Sequence, residues 1–208
     1  MPKVPEAHLE ARRRSILEAA SRVFSREGVQ DATMAAVARE AGISPGAIYR
    51  YFASKDELAH VCFLGGSTEV AARWGPVADT SIDPMADLEA MALDSFGPLG
   101  DAAERTYTIL ALEHMLDLAR SNDAAGLLVA RNSEAAVSTV LRNLIARARA
   151  EGDFPSAIEP GAMAHALMAF YWGCRLTLLL DPEADVRPAL QQVINLMRLA
   201  GGKPPRAG

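Results

Sequence analysis

Cysteine is nearly absent, since the 208 residues contain only Cys62 and Cys174. The two lie far apart, and neither belongs to a Cys-x-x-Cys pair or has a pair of histidines nearby, which argues against a zinc site and against a disulfide framework. The histidines are isolated too: His8, His60 and His165 form no cluster in the sequence. We therefore expect no metal and no cofactor.

Strand-forming patterns are also missing. No Asn-Gly or Asp-Gly hairpin signal occurs, and alternating runs of Val, Ile and Thr are almost absent, whereas Met, Ala, Leu and Arg are plentiful. The sequence therefore predicts an all-α fold.

Three kinds of enzyme motif are missing. There is no Gly-x-Gly-x-x-Gly, no P-loop and no His-Glu-x-x-His, and acidic pairs such as Asp56-Glu57 are suited to helix capping. We do not expect an enzyme.

Long apolar runs are missing as well. No run approaches the ~20 apolar residues that span a bilayer, and the first residues are polar and rich in arginine. We expect a soluble, cytoplasmic protein without a membrane partner.

The net charge of −5 argues at first against a nucleic-acid partner, but it is unevenly distributed. Residues 1–60 contain nine Lys and Arg against eight Asp and Glu, while residues 61–208 contain twelve against eighteen. Since the local arrangement of Lys and Arg decides binding to DNA, the acidic remainder does not exclude it.

The first region has the pattern of a long helix. An apolar stripe at helical spacing predicts a helix over residues 8–27, ended by Gly28; the stripe consists of Ile16, Ala20, Val23 and Phe24. The arginines at the start of this helix are expected to face solvent; they are Arg12, Arg13 and Arg14.

Two shorter helices follow. Thr33 suits the N-cap of the first, and Gly42 suits the left-handed position after its end. Pro45 is tolerated at the first position of the next helix, which we predict over residues 45–52. Two short helices joined by a turn that contains Gly are typical of helix-turn-helix DNA readers.

The rest of the chain is also helical in pattern. Ser54 and Glu57 form a capping box that starts a fourth helix, expected to end near Arg73 and to be broken by Gly75-Pro76. Further start signals lie at residues 83–84, 101–104, 122–123, 159–160 and 185, and stop signals at 97–98, 121, 152, 181–182 and 201–202. We predict nine helices, arranged as a head of residues 1–55, a body of residues 56–202 and a frayed tail of residues 203–208.

The stretch from Gly28 to Leu58 resembles the DNA-binding domain of the TetR (tetracycline repressor) family. Its residues stand at the family's characteristic spacing: Thr33, Val37-Ala38, Ala41-Gly42-Ile43-Ser44, Tyr49, Phe52, Lys55 and Leu58. The resemblance implies a transcriptional regulator that binds double-stranded operator DNA as a homodimer. It also implies that a small-molecule effector binds to the body.

The third helix is the expected reader of bases. Its first turn meets base edges, so we place Pro45, Gly46, Ala47 and Arg50 in the major groove. Arg50 is the long donor among them, and the alternative for it is that it contacts only phosphate or solvent. The expected phosphate contacts are Thr33, Ser44, Tyr49, Tyr51 and Lys55, although Thr33, Ser44 and Ser54 also serve as caps. Ile48 and Phe52 are expected to anchor the helix in the core.

The body carries polar and aromatic groups on otherwise apolar faces, which favours a mostly apolar ligand. The candidate ligand residues are Tyr107, His114, Met115, Met168, Tyr171, Trp172 and Arg175. The alternative is that such groups are core residues, and that Arg175 pairs with an acid such as Glu113 or with a dimer partner.

The last two helices are the expected dimer seam, because the family generally dimerises through them. The candidate residues form two stripes: Met163, Leu167, Phe170, Cys174 and Leu178, then Leu190, Ile194 and Met197. The alternative for both stripes is the core of a single chain. A rival function is a helical interaction protein whose head contacts protein. The operator, the effector and the sign of regulation, repression or activation, stay open.

Overall fold

The computed structural model describes residues 6–97, 99–121 and 124–202, and these contain helices and no strand. The all-α prediction is confirmed. The nine helices in these ranges are α1 (Glu6–Glu27), α2 (Met34–Glu40), α3 (Pro45–Ile48), α4 (Lys55–Thr80), α5 (Pro84–Phe96), α6 (Ala102–Ser121), α7 (Ala124–Ala150), α8 (Pro160–Leu180) and α9 (Arg187–Ala200). The predicted start signal at residues 122–123, Pro98 of the stop signal at 97–98, and the predicted tail of residues 203–208 lie outside the described residues.

The chain divides into two compact units. Unit 1 consists of Met1–Gly66 and Thr106–Asn132, and unit 2 of Ser67–Arg105 and Ser133–Gly208. Three helices, α4, α6 and α7, contribute residues to both units. The division into a head ending at residue 55 and a body stays a prediction.

The helix boundaries of the amino-terminal region follow the capping signals. The stripe of α1 is buried, with Ile16, Val23 and Phe24 fully inaccessible, and Gly28 ends the helix with a φ of 77°. Only glycine adopts this left-handed conformation without steric cost. The predicted cap at Ser54 also forms, because Ser54 Oγ accepts from the Glu57 amide. The return bond is displaced by one residue, since Glu57 Oε2 accepts from the Ala53 amide rather than from that of Ser54.

Two helices differ from their predicted lengths by four or more residues. The expected break of α4 at Gly75-Pro76 is wrong, because α4 continues through Pro76 to Thr80. An interior proline removes one backbone donor, at a cost of about 3 kcal/mol, but nearby side chains such as Ala78 are buried and favour continuation. Helix α3 is shorter than predicted: it ends at Ile48, and the next residues form a turn in which the amides of Tyr51 and Phe52 donate to the Ile48 carbonyl.

Unit 2 has one apolar core, contributed by α5, α7, α8 and α9 together with the end of α4. Leu144, Ile145 and Ala148 of α7 are fully buried at its centre. Arg147 holds the end of α4, since its guanidinium donates to the carbonyls of Asp79 and Ser81, each at 2.7 Å.

Helix α8 has the length and hydropathy of a membrane-spanning segment, which the sequence analysis did not expect. Only five of its residues are buried in the chain, namely Pro160, Ala164, Cys174, Arg175 and Leu178. The others are half-buried or exposed.

Candidate nucleic-acid interface

The turn between α2 and α3 is held by its own backbone. Thr33 Oγ1 accepts from the Ala36 amide at 3.1 Å and so caps the start of α2. At its end, the Ile43 amide donates to Ala38 and the Gly42 amide donates to Arg39, the two bonds of a Schellman motif. Gly42 has the required positive φ of 66°. The predicted helix-turn-helix thus forms from local signals.

Helix α3 and the turn after it bury one face and expose the other. Ile48 and Phe52 are 0% and 1% exposed, as predicted for residues that anchor the reader. On the outer face Ser44, Pro45, Gly46, Tyr49 and Arg50 are exposed, whereas Ala47 and Tyr51 are half-buried. A Cβ atom at Gly46 would meet nothing within 4 Å, so the packing of the chain itself does not require a residue this small.

Two exposed residues of the turn after α3 are available to another molecule. In the described ranges the side chain of Arg50 and the hydroxyl of Tyr49 have no hydrogen bond or ion pair, although the Arg50 backbone amide donates to the Ala47 carbonyl, and the Ser44 side chain makes no capping hydrogen bond. Donors of this kind suit both base edges and phosphate oxygens. The roles of these residues toward DNA stay predictions.

Arg13 has a structural role that the sequence did not predict. We expected Arg13 to face solvent, but Arg13 Nη1 donates to the Tyr51 carbonyl at 2.9 Å, and its guanidinium carbon lies 4.3 Å from the centre of the Phe52 ring. The cation therefore stacks on the anchor of the reader and binds the carbonyl beside it. A basic run at the start of a helix gives no sequence signal of this contact, which joins residues 38 positions apart.

Lys55 was predicted to contact phosphate, and the structure shows how it is already held. Lys55 Nζ donates to the carbonyl oxygens of Val29 and Gln30, at 2.8 and 2.7 Å. An ammonium group has three N–H donors, so one remains beyond these two bonds. The phosphate contact stays a prediction, but Lys55 also joins α4 to the turn between α1 and α2.

The predicted ligand residues of unit 1 lie around a buried aromatic cluster. His114, 5% exposed, places Nε2 at 3.5 Å from Nδ1 of His60. The Tyr107 hydroxyl donates to the Phe63 carbonyl at 2.5 Å, while Met115 is half-buried. The expectation that His60 is isolated is wrong, because α4 and α6 bring together two histidines that are 54 positions apart. No group of three or more possible metal ligands occurs in the described ranges.

The predicted ligand residues of unit 2 surround a buried arginine. Arg175 is 5% exposed and donates to the Tyr171 hydroxyl at 2.6 Å and to Glu104 at 3.0 Å; its guanidinium carbon lies 5.5 Å from the centre of the Trp172 ring. The acid that pairs with Arg175 is thus Glu104, rather than the Glu113 we considered. Sequence reasoning had used Glu104 only as a helix-start signal. Met168 is half-buried against the core of unit 2.

Burial raises the pKa of several titratable groups of the body. Burial raises the pKa of the Glu134 carboxyl above its usual value, although hydrogen bonds from Trp172 and Ser67 oppose the shift. Burial also raises the pKa of the Cys62 thiol to about 12. A thiol that stays protonated is a poor nucleophile and a poor metal ligand.

The predicted dimer residues lie mainly against their own chain. Five of them are buried in the single chain, namely Cys174, Leu178, Leu190, Ile194 and Met197, and three are half-buried, namely Met163, Leu167 and Phe170. A different stripe of α8 is exposed at helical spacing: Ala162, Ala166, Ala169, Gly173, Leu176 and Leu180. On α9 the exposed apolar residues include Leu196, at 65%, and Leu199, at 56%. The dimer seam stays a prediction, and the exposed stripes give it a second set of candidates.

Comparison with known proteins places residues 16–62 in the family model described as "Bacterial regulatory proteins, tetR family". The chain is 48% identical over 58 residues to the HTH-type transcriptional repressor Rv1474c of Mycobacterium tuberculosis, a match that covers 28% of this chain and 31% of that repressor. It is 27% identical over 203 residues to the HTH-type transcriptional regulator TtgR of Pseudomonas putida, covering 90% of this chain and 92% of TtgR.

A solved structure shares the fold over most of the chain. It is the transcriptional regulator FadR from Bacillus subtilis in complex with stearoyl-CoA, with a TM-score of 0.72 and 16% sequence identity, covering 90% of this chain and 98% of that chain. The family-model match thus lies in the amino-terminal region, at residues 16–62, while the likeness of fold covers 90% of the chain.

Proposed function

Because the chain belongs to the tetR family of bacterial regulatory proteins, we propose that it is a sequence-specific transcriptional regulator that works in the bacterial cytoplasm. In this proposal it represses by binding a pseudo-palindromic operator as a homodimer, and a small, mostly apolar ligand releases it.

The observation that carries the proposal is the exposed face of α3 and the turn after it. Arg50 and Tyr49 project from a turn whose inner residues, Ile48 and Phe52, are almost completely buried. This arrangement suits a DNA reader, because the buried anchors already fix the backbone that carries the exposed donors. Less conformational entropy is then lost when the donors bind DNA. The bare backbone around Gly46 gives room for close approach to the groove.

The homodimer is supported by the exposed stripe of α8. The exposed residues of this helix include no Asp, Glu, Lys or Arg, and the two polar ones, His165 and Thr177, lie at the edges of the stripe, so its centre is apolar. An apolar patch with a polar rim marks an interaction surface. Gly173 is informative, because glycine within a helix costs about 1 kcal/mol relative to alanine, yet a Cβ there would meet nothing within 4 Å of its own chain. Close packing of a second copy of α8 against Gly173 would explain why a glycine stands at this position.

A partner helix suits α8 better than a lipid bilayer does. The apolar exposure lies on one side only, while the other side carries buried Arg175 and its ion pair with Glu104. A helix surrounded by lipid would expose apolar residues all round. We therefore assign the exposed stripe to a two-fold contact between two copies of this chain.

The ligand is proposed to bind among the aromatic and polar residues of the body. Its apolar character is supported by Tyr171 and Trp172, which offer flat walls, and by the half-buried Met168. FadR, a protein of the same fold, was crystallised with stearoyl-CoA, a ligand with a long apolar chain. If the ligand lowers the affinity of the protein for its operator, linkage requires the operator to lower the affinity for the ligand by the same factor, typically about 5- to 150-fold.

The test is selection of bound sequences from random duplex DNA, with salt titration of the winners. We expect a pseudo-palindromic site and a dimer at micromolar concentration, because two short reader helices cover enough sequence only when a two-fold axis pairs them. Selection of no sequence, or binding by a monomer to a non-palindromic site, would overturn the proposal. Thermal-shift screening of small apolar compounds, with and without the selected operator, then tests the reciprocal effect of the ligand.

A further inference from the structure

The turn between α1 and α2, residues 28–33, is held from two sides within unit 1. Lys55, the first residue of α4, donates to the carbonyls of Val29 and Gln30. From α6, Asp117 accepts a hydrogen bond from the side-chain amide of Gln30. One short turn is therefore bound by two different helices at neighbouring positions.

The same two helices are bound to each other in this unit. The Tyr107 hydroxyl of α6 donates to the Phe63 carbonyl of α4, and His114 of α6 lies against His60 of α4 with ring centres 5.6 Å apart. Both histidines are buried. The contacts thus form a closed circuit from α4 to α6, from α6 to the turn, and from the turn back to α4.

The turn has a direct effect on the reader. It leads into Thr33, the cap of α2, and α2 is joined to α3 by the short Gly42 turn. Val29 and Ala32 are buried, so the backbone of the turn also packs into the unit. A change in where α6 holds Gln30 is therefore passed to α2 and α3 through a few ordered residues.

We propose that Gln30, Lys55 and Asp117 form a latch through which α6 positions the DNA reader. The inference rests on the proposed function for its effect on operator binding. The three are positioning residues, since they act through the turn and need not touch a base. The Gln30–Asp117 bond is exposed, so it adds little to global stability, but it orders a segment that would otherwise sample more conformations.

The test exchanges donor and acceptor across the latch. Gln30→Glu alone places two carboxylates face to face, whereas Gln30→Glu with Asp117→Asn restores one donor and one acceptor with the original side-chain lengths. The double variant has the same net charge as the wild type, so a recovery of operator affinity is not explained by a change in long-range electrostatics. Gln191→Ala is the control, because Gln191 donates to Asn195 at 3.2 Å within α9 of the other unit.

Three readouts are needed: amide hydrogen exchange of residues 29–32 without DNA, affinity for the duplex selected above, and the midpoint of thermal unfolding. For Gln30→Glu we expect faster exchange in the turn and an affinity about 2- to 30-fold lower on every sequence. The unfolding midpoint should stay near that of the wild type. The double variant should recover both exchange and affinity, and Gln191→Ala should change neither.

Each failure has its own meaning. Unchanged exchange in Gln30→Glu, or a double variant that recovers nothing, would overturn the latch. A fall in the unfolding midpoint that accounts for the lost affinity would also overturn it, since the bond would then be merely structural. If the wild type selects no duplex, the proposed function fails, while the exchange measurements still decide whether α6 orders the turn.

Discussion

Helix α3 with the turn after it, residues 45–52, and helix α8 both bury one face and expose the other, and the difference between their exposed residues is instructive. The exposed residues of the turn after α3 include Arg50 and Tyr49, which carry donors. Those of α8 are mostly apolar, such as Ala169, Gly173 and Leu180, and the polar ones, His165 and Thr177, lie at the two edges of the stripe. Both exposed faces are backed by buried residues that hold the helix in place. Equal exposure therefore indicates different partners: a polar one for α3 and an apolar one for α8.

The arginines of these two regions show the same contrast. The Arg50 side chain is exposed and has no partner in the described part of the chain, while Arg175 is 5% exposed and is bound by Glu104 and Tyr171. Burial removes a guanidinium from water, so a buried arginine needs partners in its own chain. An exposed one keeps its donors for another molecule. Five variants test this contrast, in order of decreasing expected effect.

Ala169→Glu should have the largest effect, because it places an unpaired charge in the proposed apolar contact between copies. Truncated or unpaired buried charges cost about 2–5 kcal/mol at interfaces, which corresponds to roughly 30- to 4000-fold in dimer affinity. Sedimentation should show a monomer with weakened operator binding. Ala72→Glu, on an exposed face of α4, is the matched control, and a dimer in both variants would remove α8 from the interface.

Arg175→Met should destabilise the fold by about 2–3 kcal/mol in urea denaturation. Removing one partner of a fully buried ion pair costs about 3–5 kcal/mol, and the effect is smaller here because the Glu104 side chain is 32% exposed. Arg50→Met is the control for the stability measurement and should unfold like the wild type. Equal stability of the two variants would contradict the contrast between the arginines.

Arg50→Ala should reduce operator affinity by about 1–3 kcal/mol, chiefly at one base position, because a bidentate contact with guanine discriminates by that amount. Binding to duplexes that vary at each position measures it, with the unfolding free energy unchanged. The same loss on every sequence would reassign Arg50 to a phosphate contact.

Lys55→Met should destabilise the fold by about 1 kcal/mol, since an ammonium donor to two carbonyls is lost. If the third N–H also meets phosphate, binding weakens on all sequences alike and the salt slope falls by about 1. A destabilised variant with an unchanged salt slope would assign Lys55 to the fold alone. Arg39→Met removes an exposed cation from α2 and serves as the stability control.

Glu134→Gln should have the smallest effect, a rise in Tm at about pH 7.5. Burial raises the pKa of Glu134 in the folded state, so above that raised pKa the buried charge destabilises the fold. This destabilisation disappears as the pH falls toward the usual carboxyl pKa of about 4.3. Glutamine removes the penalty, and so the gain should vanish at about pH 4. A gain that is equal at both pH values would come from another cause, such as better packing.

Local features of the head could be predicted in detail. Thr33 caps α2, Gly42 adopts positive φ and Pro45 begins α3, because each depends on backbone geometry within a few residues. Predictions from the sequence were less accurate where contacts between distant residues determine the structure. Pro76 did not end α4, and Glu104 rather than Glu113 pairs with Arg175.

By itself, the sequence determined the all-α fold, the helix-turn-helix and most helix boundaries, because caps, breakers and apolar periodicity act over one or two turns of helix. Only the tertiary structure decided which face of α8 is exposed and that Arg13, Lys55 and Asp117 hold the reader. On α8 most positions are apolar, so the pattern favours no single face, and the packing of α5, α7 and α9 makes the choice. Contacts such as that between Gln30 and Asp117 join residues 87 positions apart, and no local signal in the sequence records such a pairing.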